Sequence, residues 1–291
     1  MLHTIQNDHL TVRAQTTGAE LYSICLDGTE YLWQGDAAYW SDRSPTIFPY
    51  VARLTDEKYT YRGKTYSMPI HGFAPKAKFT LDSQTDTSMT FLLKSSEETL
   101  QQYPFQFRFY VTYAISGTTL TIRFRVENDD EKAMHFGLGT HPGINVPLEQ
   151  GLSFTDYRLR FDPPCQSVRI GFTPDCFPNG NDKPYALQNG CELPLHHDLF
   201  DDDAIALREM SHTVTLESPK GTHGVTVHSP DQPIFGLWHM PKTDAPYVCI
   251  EPWASLPSRQ DVVEELSCKS DLIHLAQGAE YENVWTIMIS E

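Results

Sequence analysis

Phe107-Arg108-Phe109-Tyr110-Val111-Thr112-Tyr113-Ala114-Ile115-Ser116-Gly117-Thr118-Thr119-Leu120-Thr121-Ile122-Arg123-Phe124-Arg125-Val126 is the stretch on which the fold turns. Phe107, Phe109, Val111, Tyr113 and Ile115 recur at every second position, and Leu120, Ile122, Phe124 and Val126 alternate with Thr121, Arg123 and Arg125. Successive side chains of a strand point to opposite faces, so this period of two describes two strands, each with one buried face. Ser116-Gly117 falls between them and predicts a long antiparallel hairpin.

Outward from that hairpin the same reading repeats. Residues 58–66 predict a smaller hairpin turning at Arg62-Gly63. Further strands are expected at Leu21–Leu26, 89–94, 134–138, Thr213–Glu217, Gly224–His228, Ile234–Trp238, 247–251 and 284–289. Helical pattern is scarce, with two turns at 97–103 and a short piece at 262–268. Many strands, short turns and almost no helix predict an all-β protein, a large antiparallel sandwich forming one domain over residues 1–291. The proline-rich region 163–199 is expected to form long loops over one sheet face rather than a linker.

Composition narrows the function. A formal net charge of −16, with acids spread along the chain, repels nucleic acid and anionic membrane surfaces. It suits a soluble protein, monomer or homodimer, with a neutral small-molecule partner. No apolar run approaches the ~18 residues of a membrane span, and the first residues, Met1-Leu2-His3-Thr4-Ile5, lack a charged segment leading into an apolar one. The expected compartment is the cytoplasm. Cys25, Cys165, Cys176, Cys191, Cys249 and Cys268 show no CxxC pairing, and several lie in apolar runs, which reads as buried thiols in a reducing environment.

Three separated stretches place a proton-handling side chain beside residues that bend or close the backbone. They are Pro69-Ile70-His71-Gly72-Phe73, Gly139-Thr140-His141-Pro142-Gly143 and Cys249-Ile250-Glu251-Pro252-Trp253. Two histidines and a carboxylate are what an enzyme needs to protonate one oxygen while deprotonating another. His71 on its own reads more readily as a turn residue. His141 ends an apolar strand between small residues that let a ligand approach the backbone. Glu251, at the end of another apolar strand, is either paired, for example with Arg53, or raised in pKa by lost hydration. Trp253 beside it offers a flat apolar surface for a sugar ring. Arg43 and Arg53 flank Pro45-Thr46-Ile47-Phe48-Pro49, and either can fork onto a sugar hydroxyl or pair with Asp42 or Asp56. His196-His197-Asp198 with Asp201-Asp202-Asp203 has metal-ligand composition but lacks HExxH or EF-hand spacing, so it reads as a solvated acidic loop and no metal is expected. The absence of GxGxxG, GxxxxGK[ST] and GxSxG leaves nucleotide-binding and serine-hydrolase readings without support.

Taken in order, His71 in HGF, His141 in GTHPG, Phe235-Gly236-Leu237-Trp238 and Glu251 in CIEPW resemble the aldose 1-epimerases (galactose mutarotases), nearest the LacX-like branch. Arg43, Pro45, Phe48-Pro49, Arg53-Leu54 and Leu275-Ala276-Gln277-Gly278-Ala279-Glu280 before Trp285 extend the resemblance over most of the chain. It implies a β-sandwich of the galactose mutarotase type and a cofactor-free interconversion of hexose anomers. By the resemblance, Glu251 is the general base on the C1 hydroxyl, His141 the acid on the ring oxygen, and His71 a group that binds and polarises that oxygen. Arg53 and Asp203 match the family's substrate-binding arginine and aspartate. Two departures fall at the rim, where Pro75-Lys76 replaces an arginine shortly after HGF and Ala52 replaces a glycine before Arg53. Competing readings are a hexose-6-phosphate 1-epimerase, a non-catalytic carbohydrate-binding protein and a glycosidase, the last wanting a second carboxylate roughly 5–9.5 Å from the first.

Overall fold

A computed structural model describes residues 1–291. The predicted hairpin is its centre. Phe107–Ser116 pairs with Thr119–Asn128 in unbroken register, Phe107 opposite Asn128 and Ser116 opposite Thr119. The turn residues are therefore Gly117 and Thr118, one place later than expected, and Gly117 takes the φ of 55° that a tight hairpin turn demands. The second hairpin, Lys58–Tyr61 with Lys64–Ser67, turns at Arg62 and Gly63 as read from the sequence.

Two large antiparallel sheets carry the architecture. One has nine strands, in the order Glu192–Pro194, Arg158–Phe161, Thr213–Glu217, Gly224–His228, Glu280–Ser290, Thr119–Asn128, Phe107–Ser116, Ser88–Lys94, Thr80–Gln84. The other has eight, with Ile205–Arg208, Ile234–Trp238, Tyr247–Trp253 and Gly139–Thr140 as its middle, and Gly143–Asn145 also pairing to Tyr247–Trp253. A four-stranded sheet of Leu2–Gln6, Leu10–Gln15, Leu21–Leu26 and Thr29–Glu30 completes the large antiparallel sandwich. The single α-helix, Glu97–Gln102, starts at a capping box in which the Ser96 hydroxyl accepts from the Thr99 N–H. No helix is long and apolar enough to cross a membrane.

The core explains the alternation. One cluster of 63 buried hydrophobic residues runs from Ile5 to Ile289 and includes Phe107, Phe109, Val111, Ile122 and Phe124 from the hairpin. It also takes Phe235, Leu237, Val248 and Ile250 from the eight-stranded sheet. Each such side chain contributes about 1.5–3 kcal/mol on leaving water. The opposite face of that sheet is covered too. Ile234, Ala206 and Trp253 join Ile47, Val51 and Ile170, while Tyr247 and Cys249 join Trp33 and Ala245. Tyr247–Trp253 is thus buried throughout, which is why Tyr247-Val248-Cys249-Ile250 reads as a continuous apolar run and Glu251 after it is taken out of water.

Two expectations are corrected. Residues 262–268 hold only one 3-10 turn, Leu266–Cys268, in which Leu266 alone is buried while Val263 is exposed, so one apolar anchor is too little to hold a longer helix. All six cysteines are free, but only Cys249 is fully buried and Cys268 is exposed, since the others lie at strand edges or in loops. The 163–199 region is largely loop, interrupted by the short strands Val168–Arg169, Lys183–Pro184 and Glu192–Pro194.

Candidate active site

Strand register brings Glu251 and His141 together. Gly139 pairs with Trp253 and Gly143 pairs with Cys249. His141, midway along one segment, therefore falls opposite Glu251, midway along the other, and His141 Nε2 lies 3.3 Å from Glu251 Oε2. Tyr247, Cys249, Glu251 and Trp253 share the strand face turned away from the main core, as the period of two requires. Glu251 is wholly buried and neither of its oxygens has a hydrogen-bond partner. His141 stands at the edge of this pit, its side chain 12% exposed.

His71 enters from a different segment, its ring 5.6 Å from that of His141 and nearly perpendicular to it. The backbone sews it to residues 48–52. The His71 N–H donates to Ala52 O at 2.9 Å, and the Ala52 N–H donates to His71 Nδ1 at 3.3 Å. With Nδ1 accepting, the ring proton sits on Nε2. Arg53 follows directly, and its Nη1 donates to Asp175 O at 3.1 Å. Asp203, at a φ of 75°, holds the Ala204 N–H on Oδ1 at 2.9 Å and the Cys176 thiol on Oδ2 at 2.8 Å.

Burial dominates the electrostatics. It raises the Glu251 carboxyl well above the ordinary range; the Trp253 indole N–H beside it works the other way, and Asp203 adds to the rise. Burial lowers His141 well below its usual value, and the neighbouring His71 lowers it further. His71 falls to about 4, through burial and then the charge of Arg53. At neutral pH His71 is a neutral hydrogen-bond donor. The 3.3 Å pair sets a carboxylate made more basic against an imidazole made more acidic, and the two titrate as a unit. Burial also pushes the Cys176 thiol up to about 12, with Asp203 as the next cause, so it stays a donor to that carboxylate.

Not every expected residue sits where the sequence suggested. The Arg43 guanidinium lies over the Tyr22 ring at 3.7 Å and beside the Gly35 turn, while its carbonyl accepts from the Gly143 N–H at 2.9 Å. Trp253 is only 4% exposed and leaves little face for a sugar. A Cβ on Gly236 would come within 2.6 Å of Trp253 Cζ2, so the indole lies flat on that glycine and walls in Glu251. The glycines around His141 make room for tryptophans rather than for a ligand. A Cβ at Gly139 would meet Trp253 at 3.1 Å, and one at Gly143 would meet Trp33 at 2.9 Å and Trp40 at 3.2 Å. His135 is 8% exposed, with Nδ1 3.1 Å from His274 Nδ1.

Sequence reasoning missed the aromatic rim. The half-buried rings of Trp40 and Trp238 stand 4.8 Å and 5.3 Å from the His141 ring and 5.5 Å from each other. Trp238 was legible in principle, being opposite Cys249 and on the Glu251 face by alternation. Trp40 lies in a loop, and no periodicity announces it. Cys176 was likewise missed, since only the fold brings it to Asp203. A separate groove of about 870 Å³, lined in part by Lys76, Lys78 and Lys94, borders His71 but not His141 or Glu251.

The chain has relatives among known proteins. The family profile described as aldose 1-epimerase matches residues 1–284. The chain belongs to the aldose 1-epimerase family. That membership places it among the sugar epimerases. It is 36% identical over 265 residues to the chromosomal and plasmid LacX proteins of Lactococcus lactis subsp. lactis, which covers 87% of each chain. Among solved structures it is similar to a galactose mutarotase related enzyme from Lactobacillus acidophilus (TM-score 0.95, 35% identity, covering 100% of this chain and 98% of that one). It is also similar to a galactose mutarotase-like protein from Lactobacillus casei (TM-score 0.93, 33% identity, covering 99% and 100%).

Proposed function

We propose that this member of the aldose 1-epimerase family interconverts the α and β anomers of a neutral hexose such as galactose or glucose. The observation carrying the proposal is the His141–Glu251 pair, 3.3 Å apart, wholly buried on the Glu251 side and bordered at its partly exposed His141 edge by Trp40 and Trp238. Mutarotation needs a proton removed from the C1 hydroxyl while one is added to the ring oxygen. A sugar entering the cleft takes up the pair's single proton relay. Glu251 accepts from the C1 hydroxyl, His141 donates to the ring oxygen, and the C1–O5 bond opens to the aldehyde. Rotation about C1–C2 and the reverse transfer give the other anomer. His71 Nε2–H donates to the ring oxygen and orients it, while Arg53 and Asp203 hold outlying hydroxyls. With the pair's proton on His141, the raised carboxylate is a stronger base and the lowered imidazolium a stronger acid, and the same shifts make that reactive form the less populated one. The residues serve both directions and consume nothing.

A phosphorylated hexose is the second reading, favoured by Lys76, Lys78 and Lys94 in the groove bordering His71. Anomer interconversion followed by polarimetry or saturation-transfer NMR separates the two, using galactose, glucose and their 6-phosphates. Faster turnover of the free sugars with weak inhibition by inorganic phosphate supports the first. Strong preference for the phosphates, or no turnover of any, refutes it, the latter leaving a sugar-binding protein.

A further inference from the structure

One side chain in the site has no part in the reaction above. Cys249 lies two residues before Glu251 on the same strand face, wholly buried. A nitrogen of His141, the sulfur of Cys249 and a carboxylate oxygen of Glu251 all lie within 4.8 Å of one another. Both Glu251 oxygens lack partners, and they belong to a residue with no exposed surface.

We propose that His141, Cys249 and Glu251 form a site for a soft divalent cation such as Zn²⁺, whose occupancy blocks the acid–base pair. One nitrogen, one sulfur and one oxygen are the donors that zinc takes, at about 2.0–2.3 Å each. A tetrahedral ion with those bond lengths sets its ligand atoms roughly 3.3–3.6 Å apart. His141 Nε2 and Glu251 Oε2 stand at 3.3 Å, so two ligands are already at coordinating separation. The widest separation in the group closes by roughly 1 Å, within the reach of a cysteine rotamer change. The fourth position faces the cleft past the partly exposed His141 and is left to water or a sugar hydroxyl.

Charge favours the assignment. Binding releases the Cys249 thiol proton, and the pair's proton if it is on either partner, to solvent. One thiolate and one carboxylate then cancel the charge of the divalent ion, so a neutral centre forms where an uncompensated charge would be costly. The thiol selects against Mg²⁺ and Ca²⁺, which prefer oxygen cages. The assignment does not rest on the reaction, because the ligands bind the metal whatever the cleft turns over.

The test uses the intact protein and Co²⁺ as a spectroscopic stand-in for Zn²⁺. Co²⁺ titration is expected to give a thiolate-to-cobalt charge-transfer band in the near ultraviolet at one ion per chain. Zn²⁺ removes the band, and a tenfold excess of Mg²⁺ leaves it. Cys249→Ser abolishes the band. His141→Asn weakens Co²⁺ affinity in equilibrium dialysis by at least ~10–100-fold, the loss seen even for groups that only support a ligand. Where Cys249→Ser does not fold, His141→Asn at the cleft edge carries the test alone. A band that persists in Cys249→Ser, arising from another thiol, overturns the proposal, as does unchanged affinity in His141→Asn or no band at all. If no sugar is turned over but the band behaves as described, the reaction falls and the metal site stands.

Discussion

Replacing Glu251 by Gln separates a catalytic carboxylate from a structural one, because the two roles predict opposite signs for stability. The side chain is wholly buried, neither oxygen has a hydrogen-bond partner, and His141 stands 3.3 Å away. Glutamine keeps the shape but cannot take the C1 proton. Loss of a positioned general base costs ~10²–10⁴-fold in kcat, or about 2.7–5.5 kcal/mol of barrier. Stability moves the other way. Burial raises the folded-state pKa of Glu251 above 4.5, so its contribution is full below that value and is lost as pH rises through the folded pKa. At neutral pH the wild-type protein therefore carries a strained group, and Gln relieves it by about 1 kcal/mol, the low end of the cost of burying a poorly paired polar group. For a chain of this size that is a rise in Tm of roughly 1.5–2 °C. The assays are anomer interconversion by NMR and thermal unfolding at pH 5 and pH 8, the Tm gain being larger at pH 8. A variant that keeps most of its turnover, or loses stability as a broken ion pair does, refutes the reasoning. The Glu251→Gln/His141→Asn double variant should lose far less than the product of the single losses, because the two act in one proton relay.

Other outcomes follow from the same geometry. The pH–rate profile should be a broad plateau: its acid limb, where the pair takes a second proton, lies below the ordinary 6.5 of histidine, and its basic limb lies well above the 4.5 of glutamate. A narrow bell centred between those ordinary values contradicts the burial argument. Gly236→Ala puts a methyl 2.6 Å from Trp253 Cζ2, which should cost about 1–3 kcal/mol of stability by denaturant titration and lower kcat as the indole beside Glu251 shifts. Ala52 holds a φ of 54°, a conformation costing a non-glycine residue about 1–2 kcal/mol. After the entropy of a more flexible unfolded chain, Ala52→Gly should still stabilise by up to about 1 kcal/mol in urea. His71→Asn should reduce kcat less than His141→Asn, since a neutral donor orients the ring oxygen without giving up its proton.

Much of the fold was legible because the signals are local. Phe107 to Ile115 and Leu120 to Val126 alternate cleanly, since each strand packs one face on a single core. The edge strands Leu2–Gln6 and Thr80–Gln84 escaped, being exposed or short of apolar residues, so no alternation marks them. At the site, His71, His141, Arg53, Asp203 and Glu251 were named from motif and resemblance; among them His141 stands 3.3 Å from Glu251 and its ring 5.6 Å from that of His71. Their partners were harder to see. Trp253 looked like a sugar platform because sequence reveals an aromatic residue but not the Gly236 beneath it. Trp40, Cys176 and the Cys249 contact depend on segments far apart in the chain, and nothing local announces them.

The opposition of His141 to Glu251 is inherited from a ladder, whereas Arg53, Cys176 and Asp203 hang from loops. A lineage of such proteins can lengthen, shorten or rewrite those loops and so change the sugar it serves, with the chemistry carried forward untouched. The few residues from Gly139 to Gly143 allow no such drift. Removing a single one slips the pairing by one place and turns His141 away from Glu251, so diversity should collect at the rim while insertions and deletions are purged from this one short run.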